Sequence, residues 1–223
     1  MKRLWITILV ISLVLSLSAC DGSNKKAFEV SKTAYDDIGI AYEITDNFGS
    51  DLYEAWRLGI YDDEEIINEG TSYLAGELSL SKDELKDGVV YVLLGIAGSS
   101  WEDATDEEKA ELRASADSYF RIFEDDLFSF CVMVVTGAYQ ANGKVIEVQN
   151  ALDEAKAQMK ELSEKYSDYE HYPNLKGYYT TTNAFFDFCL NPTGSFEQVK
   201  ATINDYRNEA RDYMNDLDYI FED

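Results

Sequence analysis

The feature that most constrains the fold is a regular spacing of apolar residues close to the C-terminus. From residue 196 onward they recur at alternating steps of three and four: Phe196, Val199, Ile203, Tyr206, Ala210, Tyr213, Leu217 and Ile220. This spacing places them along one side of an α-helix, which can pack against a neighbouring helix. Ser195 and Gln198 stand at the spacing of a capping box, which satisfies free amide groups in a first turn. We therefore predict a helix that begins at residue 196.

A second apolar face of the same kind lies upstream of the first. Its members are Val145, Val148, Leu152, Ala155, Met159, Leu162, Tyr166 and Tyr169. The connection between the two faces is about 25 residues long and contains Pro173 and Pro192, so the two helices can fold back on each other. The pattern predicts an antiparallel, coiled-coil-like helix pair near the C-terminus.

The chain before this pair also shows helical patterns. We predict a first helix over residues 27–61 and a short helix whose acidic first turn is residues 62–65, where negative charge meets the positive end of the helix dipole. Residues 89–97 are apolar and rich in β-branched side chains, so a buried strand is an alternative to helix there. No stretch alternates apolar and polar residues for long enough to indicate a sheet.

Two further capping boxes mark helix starts. Ser81 pairs with Glu84, and Thr105 pairs with Glu108. The second start predicts one helix over residues 105–135. Its last part, residues 128–135, is apolar on all sides but too short to cross a membrane, so we expect it to be the most enclosed helical segment.

The dipeptide Asn142-Gly143 leaves one connection open. Glycine often ends helices, which favours a hairpin there, whereas the apolar face stays in phase from Val134 to Val148, which favours one continuous helix. Six helical segments of unequal length then predict an all-α fold, an elongated multi-helix bundle. Residues 27–223 form a single domain in this interpretation.

The N-terminus has the layout of a targeting segment. A basic start, Met1-Lys-Arg, precedes an apolar run over residues 4–17, and the segment ends in Leu17-Ser18-Ala19-Cys20. These residues resemble the precursor of a bacterial lipoprotein. The resemblance implies a signal peptide over residues 1–19, a diacylglyceryl group on Cys20 and a polar tether over residues 20–26. It also implies attachment to the extracytoplasmic face of the cell membrane; a plain cleaved signal and an uncleaved anchor are the alternatives.

The charge of the chain excludes one class of partner. The sequence has 43 acidic and 19 basic side chains, a formal net charge of −24. Nucleic-acid binding depends on Lys and Arg displacing counterions from phosphates, so we expect no nucleic-acid partner. The same charge opposes adsorption to anionic lipid, so attachment should depend on the acyl chains. The acidic surface either keeps an exported protein dispersed or holds cations or a basic partner.

The sequence offers little for catalysis. It has one histidine, His171, which excludes paired-histidine zinc sites, and it contains no phosphate-binding loop and no nucleophile elbow. We therefore predict no metal site and no cofactor beyond the lipid on Cys20. Asp187 lies in the aromatic stretch 185–190, where burial would raise its pKa, although helical periodicity favours an exposed position.

Cys131 and Cys189 are the two remaining thiols. Because an exported protein can form disulfides, these residues can join two helices covalently. The alternatives are that both are small buried hydrophobes, or that one is a reactive thiol, although no basic residue lies near either in the sequence to stabilise a thiolate.

Residues 166–196 are unusually aromatic, with nine Phe or Tyr side chains. We interpret this segment as an aromatic cap at the end of the helix pair and predict Tyr169, Tyr172, Tyr178 and Tyr179 as a binding surface, since tyrosine is enriched at interfaces. The alternative is that the rings form a small core. The function predicted from these features is a non-catalytic helical module of the cell envelope that contacts an envelope protein or glycan. An envelope enzyme using carboxylates and an acidic sensor of ligands or cations are the other hypotheses.

Overall fold

A computed structural model describes the backbone of residues 2–221 and the side chains of residues 24–221. The predicted signal peptide and its lipidation site Cys20 lie outside the residues whose side chains are described. Every regular element of the described backbone is a helix: α1 Lys2–Tyr61, α2 Asp63–Glu69, α3 Thr71–Glu77, α4 Lys82–Ala97, α5 Asp106–Ile122, a 3₁₀ turn Glu124–Asp126, α6 Leu127–Ala141, α7 Lys144–Lys165, α8 Tyr172–Leu190 and α9 Phe196–Phe221. The predicted all-α bundle is confirmed.

Helix α1 is the long axis of the bundle. Residues 24–61 rise about 57 Å along it, at 1.5 Å per residue. Helix α9 lies antiparallel to this axis: the Lys32 ammonium donates to the Phe221 carbonyl at 2.9 Å, and the Tyr53 ring stacks on Phe196 with 5.1 Å between centroids. Residues 24–26, which the sequence assigned to a flexible tether, belong to α1 and are exposed.

Helices α6 and α7 lie one after the other along α1. The Tyr139 hydroxyl donates to Asp51 at 2.9 Å, and the Gln158 amide donates to Asp37 at 3.0 Å, so both helices run antiparallel to α1. Between them Gly143 adopts the left-handed conformation, with φ 81°, and interrupts the helix. The hairpin alternative is therefore wrong, and so is a single unbroken helix: α6 ends at Ala141 and α7 begins at Lys144, although both run in the same direction along α1.

The helix pairing near the C-terminus differs from the prediction. Helix α7 packs chiefly along α1, and α9 forms its antiparallel pair with α8. The segment interpreted as a cap is mostly α8, which begins with Pro173 in its first turn, a position that tolerates the missing amide. The apolar face of α7 therefore packs chiefly on α1, and that of α9 packs chiefly on α8. The two faces do not form a pair with each other.

Capping boxes set the start of α4 and α5. The Glu84 amide donates to the Ser81 hydroxyl, while the Ser81 amide donates to the Glu84 carboxylate at 2.8 Å, and Thr105 and Glu108 repeat this exchange. Residues 89–97 are helical, so the strand alternative is wrong. The turn after α4 is closed by Gly98, with φ 78°.

The predicted single helix over residues 105–135 is wrong. Helix α5 ends at Ile122, a 3₁₀ turn follows over Glu124–Asp126, and α6 begins at Leu127. The break lets α5 lie against α4 and α2, whereas α6 lies along α1 and α4. Three consecutive acids suit the positive N-terminal end of α6, which is a physical reason for a helix start there.

The buried apolar residues form two clusters. The larger lies where α4, α6 and α8 meet the second half of α1 and includes Phe48, Leu52, Val89, Phe120, Phe130, Val134 and Phe185. The smaller lies nearer the start of α1 and includes Ala34, Ile38, Leu162, Leu175, Tyr178 and Leu217. Within residues 24–221, no helix is both long enough and apolar enough to cross a bilayer.

Candidate functional site

Helices α4 and α6 touch each other at two glycines, and this contact marks one end of an open groove. A methyl group built on Gly88 of α4 would overlap the Val134 carbonyl oxygen of α6, and one built on Gly137 would lie 2.7 Å from the Gly88 carbonyl oxygen. The two backbones are therefore in direct contact at these glycines. A groove of about 580 Å³, which we call the α4–α6 groove, lies between the helices from this contact onward.

The walls of the α4–α6 groove are mainly apolar. They include Trp56, Tyr91, Ile96, Phe128, Val132 and Met133. Ile96 is 64% exposed and Met133 is 41% exposed, values that are high for large apolar side chains and that mark an uncovered surface. The prediction that residues 128–135 are the most enclosed helical segment is therefore wrong on this side, because Phe128 and Met133 are exposed there.

Two details of the groove matter for binding. The Thr136 hydroxyl donates to the Val132 carbonyl at 3.0 Å, so this polar group already has a partner inside its own helix. Gly95 lies on the wall, and a methyl group built there would meet no atom within 4 Å. The groove thus offers an apolar surface with free space, and none of the residues within 24–221 that line it is a carboxylate or a histidine.

The four tyrosines predicted as a binding surface do not form an exposed patch. Tyr178 is fully buried, and burial raises the pKa of its hydroxyl. Tyr172 and Tyr179 are half-buried in α8. The half-buried Tyr169 accepts a hydrogen bond of 2.8 Å from the Ser31 hydroxyl of α1. The alternative interpretation, that these rings form a small core, is correct for Tyr178. This residue cannot contact a partner without a rearrangement.

Asp187 and His171 lie about 24 Å apart along α8, at 1.5 Å per residue. Asp187 is exposed and accepts a hydrogen bond of 3.1 Å from the Asn183 amide of its own helix. His171 lies 3.3 Å from the exposed Glu170 carboxylate and stands edge-on to the Tyr169 ring. Among the side chains of residues 24–221, no three His, Cys, Asp or Glu groups converge as the ligands of a metal ion would.

Cys131 and Cys189 are free, buried thiols in the structure. Burial raises the pKa of Cys131 to about 12, and it raises that of Cys189 as well. A thiol with so high a pKa is a poor nucleophile at neutral pH. Of the three alternatives from the sequence, the structure therefore has the small buried hydrophobes rather than a disulfide or a reactive thiol.

Sequence reasoning missed the α4–α6 groove because it arises from a contact between distant residues. The sequence did contain one relevant signal, because a short helical segment that is apolar on every side, residues 128–135, must either be fully enclosed or leave an apolar face open to solvent. The fold and groove together define an all-α helical bundle with an exposed apolar groove. The chain matches no protein-family model, no curated protein and no solved structure.

Proposed function

We propose that this protein is a membrane-anchored bacterial lipoprotein whose helical body is a non-catalytic binding module, and that the α4–α6 groove takes a small apolar ligand. The observation that supports the ligand site is the groove itself: a concave, mainly apolar surface with exposed Ile96 and Met133. Ligand pockets of about 300–1,000 Å³ accommodate drug-sized molecules, and the volume of this groove falls in that range.

The position of the groove along α1 is compatible with an anchor at Cys20. Trp56, on the groove wall, lies about 48 Å along the helix from Asn24, at 1.5 Å per residue. An acyl anchor just before residue 24 would therefore leave the groove far from its attachment point. The net charge of −24 would keep the body away from anionic lipid, so the anchor rather than the surface would hold the protein at the membrane.

A substitution that fills the groove tests the ligand site. We expect Gly95→Leu to lower the affinity for an apolar fluorescent probe such as Nile red by about tenfold or more, because the new side chain occupies the binding space. Probe fluorescence and energy transfer from Trp56 would report binding. Gly39→Leu is the matched control, since it adds the same side chain to another open helical position, in α1.

The two variants give opposite expected results. Gly39→Leu should bind the probe as the unmodified protein does, because Gly39 is remote from the groove walls. Equal affinity of Gly95→Leu and the unmodified protein would show that the probe binds elsewhere and would contradict the proposed site.

A further inference from the structure

A second groove opens between α1 and α9, above the buried Tyr178 of α8. It has a volume of about 580 Å³, and its walls include Tyr35, Gly39, Tyr42 and Met214. We call it the tyrosine groove. A methyl group built on Gly39 would meet no atom within 4 Å, so the missing side chain at this position contributes to the open space.

Three aromatic rings meet at the tyrosine groove. The Tyr178 ring lies 5.8 Å from that of Tyr35 and 5.9 Å from that of Tyr42, measured between centroids. The Tyr35 hydroxyl donates to the Asp218 carboxylate of α9. Aromatic faces attract cations through the negative potential above the ring, so a cluster of this kind suits a positively charged ligand.

The Tyr178 hydroxyl gives independent evidence for a ligand. Its side chain is fully buried, yet the hydroxyl has no hydrogen-bond partner among the residues whose side chains are described. Burial, followed by the neighbouring Tyr35, Tyr42 and Asp218, raises its pKa, and Tyr178 is itself one of the residues that line the groove. Buried hydroxyls almost always have a partner, so an unpartnered one requires an explanation.

The charges around the tyrosine groove favour a cation. Asp36 and Glu43 of α1 are exposed on its rim, and no ion pair joins either to another described side chain. Asp46 lines the groove and forms an ion pair with Arg207 of α9. Arg211 is close enough to influence Tyr42. The carboxylates, which include Asp218, outnumber the two arginines.

We propose that the tyrosine groove binds a small organic cation, a primary alkylammonium, whose charge lies over Tyr35 and Tyr42 and whose N–H donates to the Tyr178 hydroxyl oxygen. The rim carboxylates supply the opposite charge. The hydroxyl oxygen is closed to solvent, so the ligand reaches it when a side chain of the groove moves; Met214, with three rotatable bonds, is suited to that movement. This site is separate from the α4–α6 groove and does not depend on its function.

A matched pair of probes tests the charge requirement on the full chain. We expect 2-phenylethylammonium to bind about tenfold more tightly than the neutral 3-phenylpropan-1-ol in titration calorimetry at low salt. Gly39→Leu should abolish this binding without changing the net charge, whereas Gly95→Leu should leave it intact. Equal affinities for the two probes, or full binding by Gly39→Leu, would overturn the proposal.

The role of the hydroxyl is tested by Tyr178→Phe. This variant should bind 2-phenylethylammonium about fivefold more weakly, because the ligand N–H loses its acceptor. Trimethyl(2-phenylethyl)ammonium has no N–H, so its affinity should be the same for both proteins. An unchanged affinity for the primary ammonium, or equal losses for the two cations, would overturn the assignment of Tyr178 as a hydrogen-bond acceptor for the ligand.

Discussion

Replacing Asp51 by alanine should lower the free energy of unfolding by about 3 kcal/mol, since hydrogen bonds to a buried charged group are among the strongest in proteins. Asp51 is 3% exposed. It accepts hydrogen bonds from the Ser79 amide at 2.8 Å, the Ser79 hydroxyl at 2.6 Å and the Tyr139 hydroxyl at 2.9 Å. Asp51 therefore connects α1 with the loop before α4 and with α6. Urea denaturation followed by circular dichroism would measure the loss.

Asp187→Ala is the matched control for this experiment. It removes the same charge from an exposed position whose hydrogen bond stays within α8, so the expected change is within about 0.5 kcal/mol. Equal stabilities of Asp51→Ala and Asp187→Ala would mean that the buried network does not hold the three elements together.

Gly88→Ala should destabilise the protein by about 2 kcal/mol, because forcing extra atoms into a packed contact displaces backbone or side chains. The added methyl group would overlap the Val134 carbonyl oxygen and lie 2.9 Å from the Ala138 amide nitrogen. Both are backbone atoms, which cannot rotate away, so α4 and α6 would have to separate. The loss exceeds the gain of about 1 kcal/mol that alanine brings to a helix interior.

Gly95→Ala on the same helix should have the opposite sign. Its methyl group meets no atom within 4 Å, so only the helix-propensity gain of about 0.5–1 kcal/mol remains. Thermal or urea unfolding of both variants would therefore separate packing from propensity. A Gly88→Ala protein as stable as Gly95→Ala would contradict the direct backbone contact that defines the end of the α4–α6 groove.

The helices were predictable wherever a local signal marks them. Ser81 and Thr105 start helices through hydrogen bonds within three residues, and the face from Phe196 onward depends on helical periodicity alone. We misinterpreted α8 as a cap because Thr181 and Thr182 occupy two of its buried positions, where a helical pattern of apolar residues would have hydrophobic side chains. Neither residue is recognisable as a core position from its residue type, and the Thr182 hydroxyl has no hydrogen-bond partner among the residues whose side chains are described.

The grooves were not predictable, since both depend on contacts between residues far apart in the chain. Gly88 and Gly137 have no recognisable relation in the sequence, yet their contact determines where α4 and α6 diverge. Gly39 resembles any other helical glycine until α9 is placed beside it. Among the tyrosines of residues 166–196, Tyr178 lines the tyrosine groove, and it does so from below together with Tyr35 and Tyr42 of α1.

We propose that the helical body is held at a membrane through a lipid on Cys20. Mass spectrometry of the N-terminal peptide from protein isolated from bacterial membranes would test this attachment. We expect a peptide that begins at Cys20 and carries the mass of a diacylglyceryl group. A peptide that contains residues before 20, or an unmodified Cys20, would contradict it.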